Sequence, residues 1–341
     1  MKKILSLVLI LAVVLAMVLP MAAMASGTGS SSGSFDASNV APTVDSIALW
    51  TTGGTPAVAT SMTPQVEYNV KVAVTDANEL SDLTSVKVVI FYKATTPTFT
   101  DDVPTAGDTQ TAAILTDTVG TTASWAIDPS ASTSWSIVGA SCVQPTLANT
   151  TGTFQFHFIP GKVATAAAGK WYIYAIATDT TVTTGNNHIG SLDMNWYGEI
   201  TNVTSSVSFG ATALGAIDQV STGAVSAKYI SNGDYKEQIK TDDGSGNAQW
   251  KVAATSKVVA LLDTGAAPGA GQMRLKGSYD SIVGDGFTVK QTAYTDLVAT
   301  GTQTGEDGST RGTNTLWLSL GGSGIPVGTY SGTVYYNIVS R

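Results

Sequence analysis

The sequence predicts an all-β chain of two β-sandwiches, and three observations carry that expectation. Apolar residues recur with period two: Val70, Val72 and Val74 alternate with Lys71, Ala73 and Thr75, and Phe154, Phe156 and Phe158 alternate with Gln155 and His157. Turn signals such as Gly53-Gly54, Asn232-Gly233, Asp285-Gly286 and Asp307-Gly308 separate the apolar runs at short intervals. Sustained helical periodicity is missing, and residues 164–168 have room for one turn of helix at most. Many short strands with Gly and Pro turns bury apolar faces by stacking sheets.

Residues 1–25 read as a secretory signal peptide. Lys2 and Lys3 form a positive head, residues 4–19 are an apolar run, and Ala23 and Ala25 are the small residues a signal peptidase needs. The run is short for a membrane span of roughly 20 residues, and Pro20 breaks it. Cleavage before Ser26 leaves no transmembrane segment in the mature chain. Residues 26–39 begin with SGTGSSSGS, the composition of a flexible tether. The first sandwich is expected over residues 40–194. Within it, residues 94–153 are long for an ordinary loop and are expected to add a hairpin or lobe around Trp125 and Trp135. The stretch 179–187 is polar and turn-rich, so the second sandwich is expected over residues 195–341. Its strands are read at residues 203–209, 225–230, 250–253, 287–291, 316–320 and 329–339.

Several motifs resemble immunoglobulin-like modules of prokaryotic secreted and cell-surface proteins, of the S-layer, filament or adhesin type. NVAPTVDSI at residues 39–47 is similar to their opening strand, and VAVTDANELSDL at 72–83 to a strand, polar turn and next strand. KWYIYAIATD at 170–179 looks like a closing strand. In the second half SVSFG at 206–210 resembles a first strand, and IPVGTYSGTV at 325–334 a final turn and strand. The resemblance implies two immunoglobulin-like β-sandwich domains and a surface component, and little about chemistry, because this architecture hosts unrelated roles.

Composition narrows the function classes. Only 12% of residues are charged, about half the usual share of roughly 25%. Seven Trp, twelve Tyr and eight Phe still supply enough apolar area for cores. The net charge is −8, and more negative without Lys2 and Lys3, so no basic footprint for nucleic acid exists. Cys142 stands alone, which leaves no internal disulfide; it reads as a small buried hydrophobe or as one half of a disulfide between chains.

Chemistry-bearing residues are few. With His157 and His188 the only histidines, a zinc site has almost no ligands, and no nucleophile elbow or phosphate loop is present. No catalytic residue and no enzyme activity are expected. Asp76, Asn78, Glu79 and Asp82 place four oxygen-bearing side chains within seven residues, the type of ligand that calcium takes. The competing reading is a solvated turn in which Asp76 and Asn78 bond their own backbone. Residues 242–247 form a second acidic turn. Asn149 and Asn202 each head an N-x-T acceptor pattern for glycosylation. Trp50, Trp125, Trp135 and Tyr197 can stack on sugars if they share an exposed face, and otherwise pack inside. The expectation is an exported, non-catalytic structural protein of the cell surface that associates with itself or with other surface proteins. The alternative is an adhesin or carbohydrate-binding protein with glycan partners.

Overall fold

The computed structural model describes residues 32–36, 38–181, 184–204, 206–241, 249–252, 257–279, 282–291, 293–297, 301–310 and 314–341. The signal peptide, most of the tether and the acidic turn at 242–247 lie outside them. Val40–Arg341 forms one compact unit, and Met1–Asn39 is a separate one. The chain is all-β, in several sheets stacked around buried cores, and no helix among the described residues is long and apolar enough to cross a membrane.

The first half contains β1 (Thr43–Thr51), β2 (Ser61–Met62), β3 (Tyr68–Thr75), β4 (Leu83–Tyr92), β5 (Ala112–Thr118), β6 (Ser124–Ile127), β7 (Ser136–Ile137), β8 (Thr151–Ile159), β9 (Ala167–Asp179) and β10 (Thr184–Met194). One sheet runs β1-β3-β8-β7 and the other β2-β10-β9-β4-β5-β6. Period two decides the packing. Val70, Val72 and Val74 of β3 and Phe154, Phe156 and Phe158 of β8 all point inward and are fully buried. They meet Val86, Val88 and Ile90 of β4 and Trp171, Ile173 and Ala175 of β9 in a continuous core.

The centre of the second sheet is covered on both faces, which is why β4 and β9 read as unbroken apolar runs. Val89, Phe91, Ile114, Tyr172 and Tyr174 face outward and are sealed by Phe99 and Val103 from the loop after β4. Gly190 permits this cover, because a Cβ there would come within 2.4 Å of the Tyr172 ring. Residues 94–153 therefore supply a loop over the outer face, then β5 and β6 to one sheet and β7 to the other. Trp135 lies in the core, only 1% exposed. Of the polar stretch 179–187, Asp179 ends β9 and residues 184–187 open β10, whose polar side chains alternate outward.

The second half contains β11 (Gly198–Val203), β12 (Gln219–Val220), β13 (Ala227–Ser231), β14 (Tyr235–Lys240), β15 (Gln249–Val252), β16 (Val258–Leu261), β17 (Gln272–Ser278), β18 (Phe287–Thr288), β19 (Thr295–Asp296), β20 (Ser309–Thr310), β21 (Thr315–Leu320), β22 (Tyr330–Ser331) and β23 (Tyr335–Ser340). Three sheets result: β11-β13-β20, β19-β14-β23, and β12-β21-β17-β16-β15-β22, with β18 also paired to β17. Ile239, Val259, Leu275, Leu297 and Leu316 make its core. Gly332 lets Trp250 lie across the last strands, since a Cβ there would fall 2.3 Å from the indole.

A polar clamp joins the halves. Asn232, fully buried, donates through Nδ2 to the carbonyls of Ala164 at 2.8 Å and Asn195 at 2.9 Å. Its Oδ1 accepts the Tyr197 N–H at 2.7 Å, and its carbonyl accepts the Ala166 N–H at 2.9 Å. Gln303 donates to the Val163 carbonyl at 2.7 Å, and Lys162 pairs with Glu199 at 2.6 Å. The Asn232-Gly233 turn, legible in the sequence as a turn, thus also fastens the second half to the first.

Candidate functional site: the acidic turn and the exposed edge

The turn after β3 keeps its four oxygen-bearing side chains near one end of the first half. Asp76 is 1% exposed, and its Oδ1 accepts the Asn78 N–H at 2.8 Å, an Asx turn. Asn78 Oδ1 accepts the Val40 N–H at 2.8 Å. Glu79 takes a left-handed φ of 80°, and Asp82 Oδ1 accepts the Thr180 hydroxyl at 2.5 Å. Asp179, from the end of β9, faces the same place, and its Oδ1 accepts the Thr181 N–H at 2.9 Å. Sequence reasoning missed Asp179, which is about a hundred residues away along the chain and arrives only through the β4–β9 pairing. Burial pushes the Asp76 carboxyl up, and the charges of Asp82 and Asp179 add to the rise. Asp76 Oδ2 is buried without a protein partner. Among the described residues no three His, Cys, Asp or Glu side chains converge as a metal-holding group.

Other chemistry-bearing residues are dispersed. His157 Nδ1 lies 2.7 Å from Glu67 Oε1 on the outer face of one sheet. His188 stacks on Phe99, centroids 3.6 Å apart, on the outer face of the other. His188 lies on β10, where the sequence suggested a loop. The Cys142 thiol accepts the His157 N–H at 3.2 Å, and burial pushes its pKa up to about 11, so it stays protonated at neutral pH. Asp117 is fully buried on the inward face of β5, and only the Ser124 backbone N–H approaches its carboxyl. Burial raises its pKa to about 6. Asn149 and Asn202 are both exposed. The four aromatics do not form one platform: Trp135 is core, Trp125 meets Phe156 edge-on at 5.0 Å, the Lys71 ammonium covers Trp50 at 4.1 Å, and Tyr197 bonds Glu199 at the junction.

The second half carries a different feature. Residues 216–221 run along β21 at one side of the largest sheet, with Gln219 opposite Leu318 and Val220 opposite Trp317, and Thr222 bonds the Ser208 carbonyl on the other side. Leu214, just before this stretch, and Ile217 and Val220 within it are 50%, 61% and 48% exposed. Asp218, the one charged residue of the stretch, turns inward with φ 52°. Its carboxylate bonds Arg274 Nη2 at 3.1 Å, Lys276 Nζ at 3.2 Å and the Ser319 hydroxyl at 3.1 Å. Burial works to raise its pKa, and these bonds outweigh burial and hold it below the usual carboxylate range. Arg274 is 7% exposed and also donates to the carbonyls of Gly265 and Ala266.

No protein-family model and no curated protein matches this chain. Among solved structures, it is similar to a chain from a chaperone–tip adhesin complex of CFA/I fimbriae, with 11% identity, a TM-score of 0.25, and coverage of 84% of this chain and 78% of that one. A second likeness, to dimeric latent PorU from Porphyromonas gingivalis, has 8% identity, a TM-score of 0.12, and coverage of 59% of this chain and 28% of that one. TM-scores this low decide neither fold nor function.

Proposed function

We propose that this chain is an exported, non-catalytic structural protein of the cell surface that self-associates as the subunit of a layer or filament. The observation that carries the reading is where the second half leaves its apolar residues. Leu214, Ile217, Val220, Ile282, Phe287 and Val327 are about half exposed or more, and Val327 is 94% exposed. Exposed apolar side chains on a charge-poor chain gain free energy when another surface covers them. The signal-peptide pattern supports export. The histidines support the non-catalytic part, since one is held by a glutamate and the other by an aromatic stack on the opposite face.

The test is assembly of the chain from Ser26 to Arg341, followed by light scattering against concentration and by electron microscopy. Ordered polymers or sheets are expected. A chain that stays monomeric at high concentration and binds a glycan array overturns self-association in favour of adhesion.

A further inference from the structure

We infer that Asn149 is the acceptor of an N-linked oligosaccharide, and that Asn202, the other N-x-T asparagine of the chain, is not. This rests on the export part of the proposed function, because the chain meets a lipid-linked sugar donor at the membrane it crosses.

Asn149 stands in the turn that leads into β8, and the fold has fixed its backbone. Its N–H donates to the Thr146 carbonyl at 3.2 Å, and its carbonyl accepts the Leu80 N–H at 2.8 Å. On either side, the Leu147 carbonyl accepts the Ser81 N–H at 2.9 Å and the Thr150 carbonyl accepts the Asp76 N–H at 2.8 Å. Gly152 lets Pro145 and Leu80 pack across the start of β8, since a Cβ there would fall 2.5 Å from Pro145 and 2.7 Å from Leu80. The side chains are what the turn leaves outside. Asn149, Thr150 and Thr151 are all exposed. Among the described residues neither the Asn149 carboxamide nor the Thr151 hydroxyl makes a hydrogen bond. The carboxamide nitrogen and the hydroxyl two residues on, the two groups that define an acceptor sequence, are therefore both open to a transferase.

Asn202 is exposed as well, so exposure alone does not choose between them. It lies on β11, opposite Lys228 of β13 and next to a shift in register. The hydroxyl two residues on is already engaged: Thr204 Oγ1 accepts the Ser226 N–H at 2.9 Å and donates to the Ser226 carbonyl at 3.3 Å. The Thr204 N–H donates to the same carbonyl at 2.9 Å. A transferase that grips this hydroxyl has to break the end of the β11–β13 pairing first.

The transfer balances without a redox partner. Asn149 Nδ2 bonds C1 of the first sugar, and the C1–O bond to the lipid phosphate breaks. The departing phosphate keeps the electron pair and takes the Nδ2 proton. The product carries its hydroxyls on a chain that is only 12% charged, and bulky, hydrated groups of this kind belong on surfaces.

The experiment takes the exported chain from its own host and reads tryptic peptides by mass spectrometry. Trypsin puts the two asparagines in separate peptides, 94–162 and 171–228. Peptide 94–162 is expected to exceed its sequence mass by one oligosaccharide, and 171–228 to match its own. Asn149→Gln and Thr151→Ala should abolish the added mass, and Thr151→Ser should keep it. All three variants change exposed side chains and leave the backbone bonds of the turn in place, so unchanged melting curves are expected. A bare peptide 94–162 from a chain that starts at Ser26 overturns Asn149 as acceptor and leaves export standing. A bare peptide from a chain that still starts at Met1 overturns both. Added mass that survives Asn149→Gln sits on a hydroxyl and overturns the N-linkage, and a glycan on 171–228 overturns the exclusion of Asn202.

Discussion

The two halves solve the same packing problem in opposite ways. The first half puts its phenylalanines and most of its aliphatics inside, leaves Val58, Val66 and Val143 exposed, and roofs its outward apolar face with Phe99. It tolerates a buried carboxyl, Asp117, that only the Ser124 backbone N–H approaches. The second half leaves Leu214, Ile217, Phe287 and Val327 outside and buries a paired charge, Arg274 with Asp218 and Ser319. The difference teaches that apolar content alone does not say which half is built to stand alone. What matters is whether the fold has used its apolar residues internally.

The contrast breaks most sharply at Arg274. Arg274→Met should cost about 3 kcal/mol, because it strips the Gly265 and Ala266 carbonyls and one of the three partners of the Asp218 carboxylate. Denaturant unfolding measures this, and a loss below about 1 kcal/mol would show that Lys276 alone sustains the network. Asn232→Ala removes three side-chain hydrogen bonds at the junction, one of them to Ala164 of the first half, and should cost about 1–3 kcal/mol. It should also split one unfolding transition into two in calorimetry. A single sharp transition would mean that the remaining Gln303 and Lys162 contacts suffice to couple the sandwiches.

Asp117 sharpens the comparison through pH. Its folded pKa of about 6 lies above the unfolded value, so folding favours the protonated form. The contribution of Asp117 to stability is therefore fully present below about pH 4 and lost as pH rises through about 6. Asp117→Asn should raise stability by about 1–2 kcal/mol at pH 7.5 and by little at pH 4. Asp218, held below its usual range, has the opposite sign: its contribution is present at neutral pH and lost as pH falls through its folded value. Hydrogen exchange read separately in β5 and β17 at pH 7 and pH 4 tests the pair of signs.

The smallest effect is expected at the acidic turn. Asp76 Oδ1, Asn78 Oδ1, Asp82 Oδ1 and Asp179 Oδ1 already accept protein hydrogen bonds. Millimolar calcium should leave the melting temperature unchanged. A rise that Asp76→Ala abolishes would show that Asp76 Oδ2 nucleates a cation site on binding.

Local pattern determined a good deal about this protein. The alternation of Val70, Val72 and Val74 and of Phe154, Phe156 and Phe158 told which faces are inside, because a strand's side chains must alternate. The unbroken run in β9 told that both faces are covered. The Asp76–Asn78 bond was legible because an Asx turn closes within three residues. Tertiary structure alone decided the rest. Asp179 joins Asp76 only through a strand pairing, and Asn232 becomes a clamp only when Ala164 and Asn195 meet it. Asp218 turns inward because Arg274 and Lys276 wait on a strand more than fifty residues away. Those outcomes depend on contacts between distant segments, and hydrophobic periodicity carries no record of which distant segments will meet.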